Sequence, residues 1–566
     1  MICTVNKLTT ASYSMNNNDN RLVNLSHLIL SKIINYIDDN VDRIVFTLVC
    51  KRWFNERHKY LSFKTDHIIN INKCNVNQDS MCLKSYKSIY IDSFKHKNNY
   101  YLHVIRGDTI DYKMTPEQLI EINEIPPKFS AIAIDIDSSD ATCYEMYRLI
   151  SRSQVTTLER CRTLRYRLPE NLTNISFISF NEPLLPGYLP QHLKSLEFAH
   201  GFNQPIKKGD LPNTLEILNL GDDFKQAIEP GVLPSSLKVL KYYGGHILKV
   251  GSLPPNLEEF YFLGNTVPID DGVLPLTLCE VKAPLSWLPS IKSLSNIKSL
   301  ILYQCDIDST IDLSYLPCSL TKLAISQRRR KRLISTMPPS IKHLDLTHLS
   351  YNIDEIFKDR SQYHFEYLKL DGYKPDSLDN LKIDDLELDL SNPFKYKVES
   401  IIDIPEGIEI LQIRNGGDLY LDFEVIPSTV KRLILDYSST FKFNSNETLP
   451  SGLQELAVDL DDWNEDLTLF PSDVLPPSLQ SLTIPAMLLP QPRIPNNLIL
   501  IPELSNGGDE HVWLRRLDDH HYLFFSEEPF YTSAIVHESN IPNIFAYYES
   551  TLYRYFPRWI KVEIDE

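Results

Sequence analysis

The sequence has little glycine, with only 18 glycines among 566 residues against 36 prolines. Loops that wrap phosphates closely need glycine, because only glycine lets the backbone approach without a side chain. The chain contains no P-loop and no glycine-rich dinucleotide-binding motif. It also lacks the protein-kinase motifs, the H-E-x-x-H zinc-protease motif and the G-x-S-x-G motif. We therefore expect a protein that is not an enzyme and has no catalytic residue, cofactor or metal site. A Cys–His pair stays open, although no pattern marks one cysteine over another.

Positive charge and long apolar runs are scarce as well. The chain carries 57 Lys and Arg against 74 Asp and Glu, a net charge of −17. An acidic chain lacks the basic face that neutralises phosphates, so we expect no nucleic-acid partner. No stretch reaches the roughly 18 to 20 apolar residues of a membrane span, and the N-terminus lacks a signal-peptide pattern. The nine cysteines include no C-x-x-C pair, which favours free thiols. These features predict a soluble, cytoplasmic protein.

The prolines mark a repeat with the pattern L-P-x-x-L-x-x-L-x-Φ, in which Φ is apolar. The alternation in x-Leu-x-Φ predicts a short strand with one inward face, and the proline precedes it where its missing N–H does no harm. A period near 22 residues indicates a leucine-rich-repeat-like solenoid of about fourteen coils, roughly 70 Å long at the spacing of parallel strands. The repeat prolines are Pro169, Pro190, Pro212, Pro234, Pro254, Pro275, Pro317, Pro338, Pro405, Pro427, Pro450 and Pro476.

Weaker copies of the pattern extend this prediction. Residues 365–370 and 383–388 fit its strand half, and residues 125–134 fit all of it. Residues 86–91 also fit the strand half, two periods further upstream. These matches predict that the coils begin near residue 80.

A second element follows some strands. It reads Phe-Asn-Gln-Pro-Ile at residues 202–206 and Phe-Lys-Gln-Ala-Ile at 224–228. With the leucine pattern, it resembles the FNIP repeat family over roughly residues 166–485. We expect the Phe and Ile side chains to fill the convex side of the core, and the Asn to cap backbone groups in the turn.

The N-terminal segment has helical periodicity. Apolar residues recur at three- and four-residue steps from Leu25 to Ile37, and Asp38-Asp39-Asn40 interrupts the pattern. A second apolar stripe runs from Val41 into Leu-Val-Cys-Lys-Arg-Trp at residues 48–53. These residues resemble the second half of an F-box. The first half departs, since Ser26 stands where the family usually has proline, although serine still suits a helix N-cap.

The resemblance to F-box and FNIP repeat-containing proteins implies an α+β chain, in which a small N-terminal helical F-box precedes a β-rich solenoid. It implies a substrate-recognition subunit of a Skp1–cullin–F-box ubiquitin ligase, with a Skp1-like adaptor and a cullin complex as partners and no membrane. The adaptor-binding residues it implies are Leu25, Ile29, Ile33, Val49 and Trp53. An interaction scaffold without a link to ubiquitination, its helices serving as a cap for the solenoid, is the alternative.

The strand positions that face away from the core predict a binding surface for a substrate protein. On the concave side these are Lys194, Glu197, Glu216, Asn219, Lys241, Glu258 and Tyr261. The predicted organisation is a disordered lead-in at 1–20, an F-box at 21–63, a linker with irregular coils at 64–165, repeats at 166–500 and a cap at 501–566.

Two further stretches have a chemical composition of interest. The basic run at 327–332 is predicted as a loop between coils, with a nuclear-localisation signal or an anion-binding patch as alternatives. The Asp-Asp-His-His run at 518–521 has metal-ligand composition. It lies between two apolar stretches, however, and a hairpin turn is the better interpretation.

Overall fold

The architecture is taken from a computed structural model. The residues that it describes are 23–64, 86, 88–89, 93, 100–105, 124–125, 127, 129–135, 142–264, 267–303, 310–326, 332–347, 353–371, 378–390, 404–415, 419–420, 426–437, 441–442, 449–460, 475–485, 496–501, 512–526, 532–541 and 543. The predicted lead-in at 1–20 and most of the basic run at 327–332 lie outside them.

Helices are few and short. They are α1 His27–Asn35, α2 Asn40–Thr47, α3 Lys51–Glu56, α4 Thr142–Ser151, α5 Leu288–Ile291 and α6 Ile353–Ile356. None of these helices in the described ranges has the length and apolar character needed to cross a bilayer.

Strands are the main regular secondary structure of the described residues. They are β1 Tyr100–Ile105, β2 Phe129–Asp135, β3 Thr157–Cys161, β4 Asn174–Phe177, β5 Ser195–Phe198, β6 Ile217–Asn219, β7 Val239–Tyr242, β8 Glu259–Phe262, β9 Glu280–Pro284, β10 Ser299–Tyr303, β11 Ile311–Asp312, β12 Lys322–Ser326, β13 Leu333–Ile334, β14 His343–Asp345, β15 His364–Phe365, β16 Tyr367–Leu370, β17 Lys382–Ile383, β18 Asp385–Leu390, β19 Ile410–Asn415, β20 Leu419–Tyr420, β21 Arg432–Tyr437, β22 Phe441–Lys442, β23 Glu455–Leu460, β24 Ser481–Pro485, β25 Asn497–Ile501, β26 Val512–Arg516, β27 His521–Ser526 and β28 Thr532–His537.

One long sheet runs through the molecule. Within the described residues it has 22 strands, and its pairs from β1 to β25 are all parallel. Three short parallel pairs, β11 with β13, β15 with β17 and β20 with β22, lie on other sides of the coils. The chain is a leucine-rich-repeat-like β-solenoid, and this part of the fold prediction is confirmed.

The repeated leucines and prolines have separate structural roles. Leu196 of β5 pairs with Leu218 of β6, and Leu218 pairs with Leu240 of β7, so the buried leucines stack coil upon coil. The carbonyl of Pro190 accepts the amide of Leu193 at 3.2 Å, which forms a tight turn before the strand. The same bond recurs in later coils, so each proline begins a turn in which its missing N–H leaves no unpaired donor.

A polar ladder that we did not predict runs along this turn. In the L-P-x-x-L part of the repeat, the residue before the second Leu is often Ser or Thr. Its hydroxyl donates a hydrogen bond to a backbone carbonyl of the preceding coil. Thr214 donates to Leu193 at 2.8 Å, and Ser236 donates to Leu215 at 2.7 Å. The recurrence of Ser or Thr at one position of L-P-x-x-L is the sequence signal that would have revealed the ladder. The hydroxyl groups of the ladder donate to backbone carbonyls in the turn and so satisfy these acceptors.

The Phe-Asn element packs as the sequence predicts. Phe202 and Phe224 are buried, and their rings stack with centroids 5.7 Å apart. The Asn203 side chain accepts the amide of Lys225 at 2.9 Å, and Asn181 accepts the amide of Asn203 at 3.0 Å. The latter bond identifies Phe180-Asn181, 22 residues upstream, as a further copy that the sequence analysis missed.

The weaker copies of the repeat have mixed outcomes. Strands β16, β18 and β2 confirm the predictions at 365–370, 383–388 and 125–134. The strand predicted at 86–91 is wrong, because Tyr86, Ser88 and Ile89 are helical. The Tyr86 hydroxyl lies 2.6 Å from Thr47 Oγ1 of α2, so this segment packs with the N-terminal helices instead of forming a coil.

The C-terminal strands change the direction of pairing. β25, β26, β27 and β28 pair antiparallel in sequence order, with a turn at residues 517–520 between β26 and β27, which confirms the predicted hairpin. Strand β27 is buried on both faces. Its Tyr522 and Phe524 belong to the solenoid core, whereas Leu523 and Phe525 belong to a second cluster built by the N-terminal helices.

The two ends of the sheet therefore lie close together. Ser93 accepts the Phe63 amide at 3.0 Å and so belongs to the N-terminal helical cluster. The seven residue steps from Ser93 to the first residue of β1 span at most about 25 Å. A straight sheet would hold β1 and β27 roughly 95 Å apart. The sheet must bend back on itself, so an open array about 70 Å long is a wrong expectation.

Cysteine chemistry agrees with the sequence. Among the described residues, Cys50, Cys143, Cys161, Cys279 and Cys318 are not joined by disulfide bonds.

Candidate functional site

Two surfaces are candidates for function. One is the N-terminal helical unit, defined as residues 23–64 with Tyr86, Ile89 and Ser93. The other is the face of the long sheet that points away from the core.

Side-chain caps begin the first two helices of the helical unit. Ser26 accepts the Ile29 amide at 3.4 Å and caps α1, as predicted. Asp39 caps α2 through the Val41 amide at 2.6 Å, which explains why the Asp-Asp-Asn run ends one helix and begins the next.

Trp53 lies at the centre of the helical unit. Its side chain is 7% exposed, and its ring stacks on Phe46 with a centroid distance of 4.7 Å. The indole N–H donates to the Val23 carbonyl at 3.2 Å, and the Tyr60 hydroxyl donates to the Trp53 carbonyl at 2.8 Å. Trp53 therefore packs within its own chain. Its ring offers little surface to a partner, and its adaptor-binding role stays a prediction.

A buried arginine that we did not predict also holds the unit together. Arg43 is 1% exposed, and its guanidinium donates to the carbonyls of Ile37 and Ser62. These bonds join the end of α1 to the segment after the last helix of the unit. The charge is tolerated because carbonyl acceptors surround it. A lone arginine inside an apolar stripe was the available sequence signal.

Helix α1 has apolar residues on two opposite sides. Leu30 and Ile34 are fully buried against the unit. On the other side Leu28, Ile29 and Tyr36 are exposed by 79%, 45% and 88%. Ile29 and Tyr36, the residue that ends the helix, are seven positions apart and project to nearly the same side. Leu28 projects roughly 100° away, so the three side chains cover an exposed arc of the helix surface.

The loop between α2 and α3 adds a further exposed apolar side chain. Val49 is 66% exposed, and Leu25 and Ile33 are partly exposed. Arg52 of α3 donates to the carbonyls of Val23 and Leu25, which brings this loop towards the start of α1. We call Leu28, Ile29, Tyr36 and Val49 the apolar patch. Of the five predicted adaptor-binding residues, Ile29 and Val49 lie on it, Leu25 and Ile33 are half-buried and Trp53 is buried. The exposed Leu28 and Tyr36 were not among the five.

A small charged group lies beside α1. Glu56 is 2.8 Å from the His27 ring nitrogen and 3.1 Å from the Arg52 guanidinium. The hydrogen bond from His27 holds the pKa of the Glu56 carboxyl below its ordinary value. This group links α1 with α3.

The seven residues predicted for the concave side lie on two adjacent rows of the sheet. Glu197, Asn219, Lys241 and Tyr261 are in register on β5 to β8. Lys194, Glu216 and Glu258 form the second row, immediately before the strands. The first-row residues alternate with buried leucines or aromatics, and each second-row residue directly follows a buried leucine. None of the seven is buried, so both rows lie on the outward face.

Neighbouring side chains on these rows satisfy one another. The Glu216 carboxylate is 3.2 Å from Lys194 and 3.3 Å from Lys238, and the Lys194 bond lowers the Glu216 pKa. Asn219 donates to Glu197 at 2.7 Å. An open groove of about 540 Å³ follows the second row between Lys194 and Glu258. The rows form a surface of mixed charge suited to binding.

Comparisons with known proteins agree with the repeat assignment. The FNIP Repeat family matches residues 164–200 and 202–241, so these coils are FNIP repeats. No curated protein matches the chain. Solved structures match, among them one described as "The crystal structure of CroV588 a novel circular LRR protein structure". That alignment has 19% identity and a TM-score of 0.41, and covers 71% of this chain and 63% of that chain. The chain thus spans less than two thirds of that protein.

Proposed function

We propose that this chain is a protein–protein interaction scaffold of FNIP repeats that serves as the substrate-recognition subunit of a Skp1–cullin–F-box ubiquitin ligase. The helical unit docks a Skp1-like adaptor through the apolar patch, and the outward rows of the sheet bind the substrate protein. The observation that supports this proposal is the exposure of four apolar side chains on and beside α1, namely Leu28, Ile29, Tyr36 and Val49. An isolated exposed leucine is ordinary, but a helix that is apolar on both sides fits a partner.

The proposed contribution to ubiquitination is positional. The chain holds a substrate lysine near a ubiquitin-charged enzyme carried by other subunits, which raises the effective concentration of the reacting groups. The chain itself makes and breaks no bond in this proposal. It needs no cofactor, and its setting is the cytoplasm.

An interaction scaffold without a link to ubiquitination is the second candidate. The packing of the helical unit on β27 favours it, because contact with Leu523 and Phe525 gives the helices a structural role that needs no adaptor. Under this candidate the apolar patch binds no adaptor, and the sheet alone binds partners.

Capture of the ligase from cells separates the two candidates. Tagged full-length chain is purified from lysate and probed for Skp1 and cullin. The double variant Leu28→Asp/Val49→Asp should lose both, since a charge on the patch opposes apolar docking. Leu276→Asp is the matched control, because Leu276 is exposed by 69% in the solenoid, far from the helical unit in sequence. Absence of Skp1 with the unaltered chain, or equal capture by the double variant, would favour the plain scaffold.

A further inference from the structure

The turn of the C-terminal hairpin gathers imidazole and carboxylate groups from distant positions. Strand β27 pairs with β28 so that His521 lies opposite His537. This pairing brings Glu538 to His520, whose Nδ1 is 3.0 Å from the Glu538 carboxylate. The rings of His520 and His537 stack with centroids 5.7 Å apart.

We propose that His520, His537 and Glu538 form a binding site for a divalent transition metal of the zinc class. One ligand atom from each residue lies within 4.8 Å of the other two. Two imidazoles and one carboxylate are a donor set that zinc uses, with a fourth position open to water. Zinc places its ligand atoms roughly 3.3 Å apart, from metal–ligand distances near 2.0 Å in a tetrahedron. All three side chains lie at the surface or partly so, and small rotations bring them together.

Neighbouring groups hold the ligands in position. The Ser539 hydroxyl is 2.8 Å from His537 Nδ1, and the Ser539 amide donates to the same nitrogen at 3.3 Å. Metal binding through Nε2 therefore requires the ring proton to move from Nε2 to Nδ1, which then donates to the Ser539 hydroxyl. The Asp518 carboxylate accepts the His520 amide at 2.9 Å and lies 2.9 Å from His521 Nδ1, which stiffens the turn. Such second contacts orient metal-binding histidines. The hairpin predicted from residues 518–521 is thus compatible with a site, because strand pairing supplies the two ligands that the local sequence lacks.

The bound metal would tie the turn to the last strand. β27 carries Leu523 and Phe525 into the cluster of the helical unit, and Arg515 of β26 bonds Asp42 of α2 at 2.8 Å. A metal that binds only the folded hairpin stabilises it by mass action. Metal binding therefore stabilises the C-terminal hairpin, against which the helical unit packs.

A second group of similar composition provides the control. His200, Asp222 and Asp223 also lie within reach of one another. Only one of them is an imidazole, and Asp223 already accepts the Gly201 amide at 2.7 Å. The proposal excludes this group as the zinc site.

Calorimetric titration of the metal-free full chain with Zn²⁺ tests the proposal, together with the visible spectrum of the Co²⁺ form. We expect one saturable site, weakened at least tenfold in His537→Ala and in Glu538→Gln and unchanged in His200→Ala. Glu538→Gln keeps the side-chain shape, so it remains informative if His537→Ala perturbs the hairpin. Absence of saturable binding would overturn the proposal. Loss of binding in His200→Ala alone, or a Co²⁺ thiolate absorption band, would also overturn it.

Discussion

The contact between the helical unit and the C-terminal hairpin should depend on Phe525 far more than on the ion pair beside it. Phe525 is 1% exposed, and its replacement by Ala should cost about 3–5 kcal/mol, as for other buried phenylalanines. The Arg515–Asp42 pair, at 2.8 Å, has side chains exposed by 25% and 47%. A pair this exposed contributes about 0–1 kcal/mol.

Hydrogen exchange of the backbone amides measures this difference locally. A loss of about 3 kcal/mol corresponds to roughly a hundredfold faster opening. The amides of α1, α2 and α3 should therefore exchange about a hundredfold faster in Phe525→Ala. In Asp42→Ala the change should stay within about fivefold.

Phe524→Ala is the matched control, since Phe524 is equally buried but belongs to the solenoid core. It should accelerate exchange in β25 to β27 more than in the helices. Identical exchange patterns for Phe524→Ala and Phe525→Ala would refute the claim that one face of β27 packs in the solenoid core and the other packs against the helical unit. An Asp42→Ala effect as large as that of Phe525→Ala would refute the energetic argument.

Three further outcomes follow from the packing. Phe202→Ala removes a ring stacked on Phe198 and should lower the free energy of unfolding by about 3–5 kcal/mol in chemical denaturation, and a loss under 1 kcal/mol would contradict a packing role for this stacked pair. Asn203→Ala removes the acceptor of the exposed Lys225 amide and should cost about 0.5–1.5 kcal/mol, whereas Asn203→Asp, which keeps the acceptor, should recover most of it. Burial raises the pKa of Tyr86 to about 12, so the folded state favours the neutral phenol. The stability that Tyr86 contributes is complete below the unfolded value of about 10 and is lost as the pH rises from there towards 12. Thermal midpoints should fall less steeply over that window in Tyr86→Phe, and identical pH profiles would contradict this.

Much of the solenoid was predictable because its rules are local. The period of L-P-x-x-L-x-x-L places Leu196, Leu218 and Leu240 in one buried column, and Phe202-Asn203 predicts both a core ring and a backbone cap. Each assignment depends on neighbours about one repeat away. The wrong strand prediction at 86–91 came from the same local rule. Tyr86 and Ile89 have the spacing of the two leucines in L-x-x-L by chance, and they pack on the N-terminal helices instead.

Features that depend on distant parts of the chain were not predictable. The return of β27 to the N-terminal helices depends on a small rotation per coil, accumulated along the sheet, which no single repeat specifies. Trp53 matches an F-box position, but whether its ring faces a partner depends on Val23 and Phe46, which cover it. The meeting of His520 with Glu538 depends on strand register in the same way.

Direct binding of a purified Skp1 adaptor to the purified full chain tests the central claim, that the apolar patch of the helical unit is a docking surface. Calorimetry should give saturable one-to-one binding for the unaltered chain. Leu28→Asp/Val49→Asp should weaken it at least tenfold with an unchanged thermal midpoint, because both side chains are exposed. No saturable binding, or equal affinity for the two chains, would contradict the account.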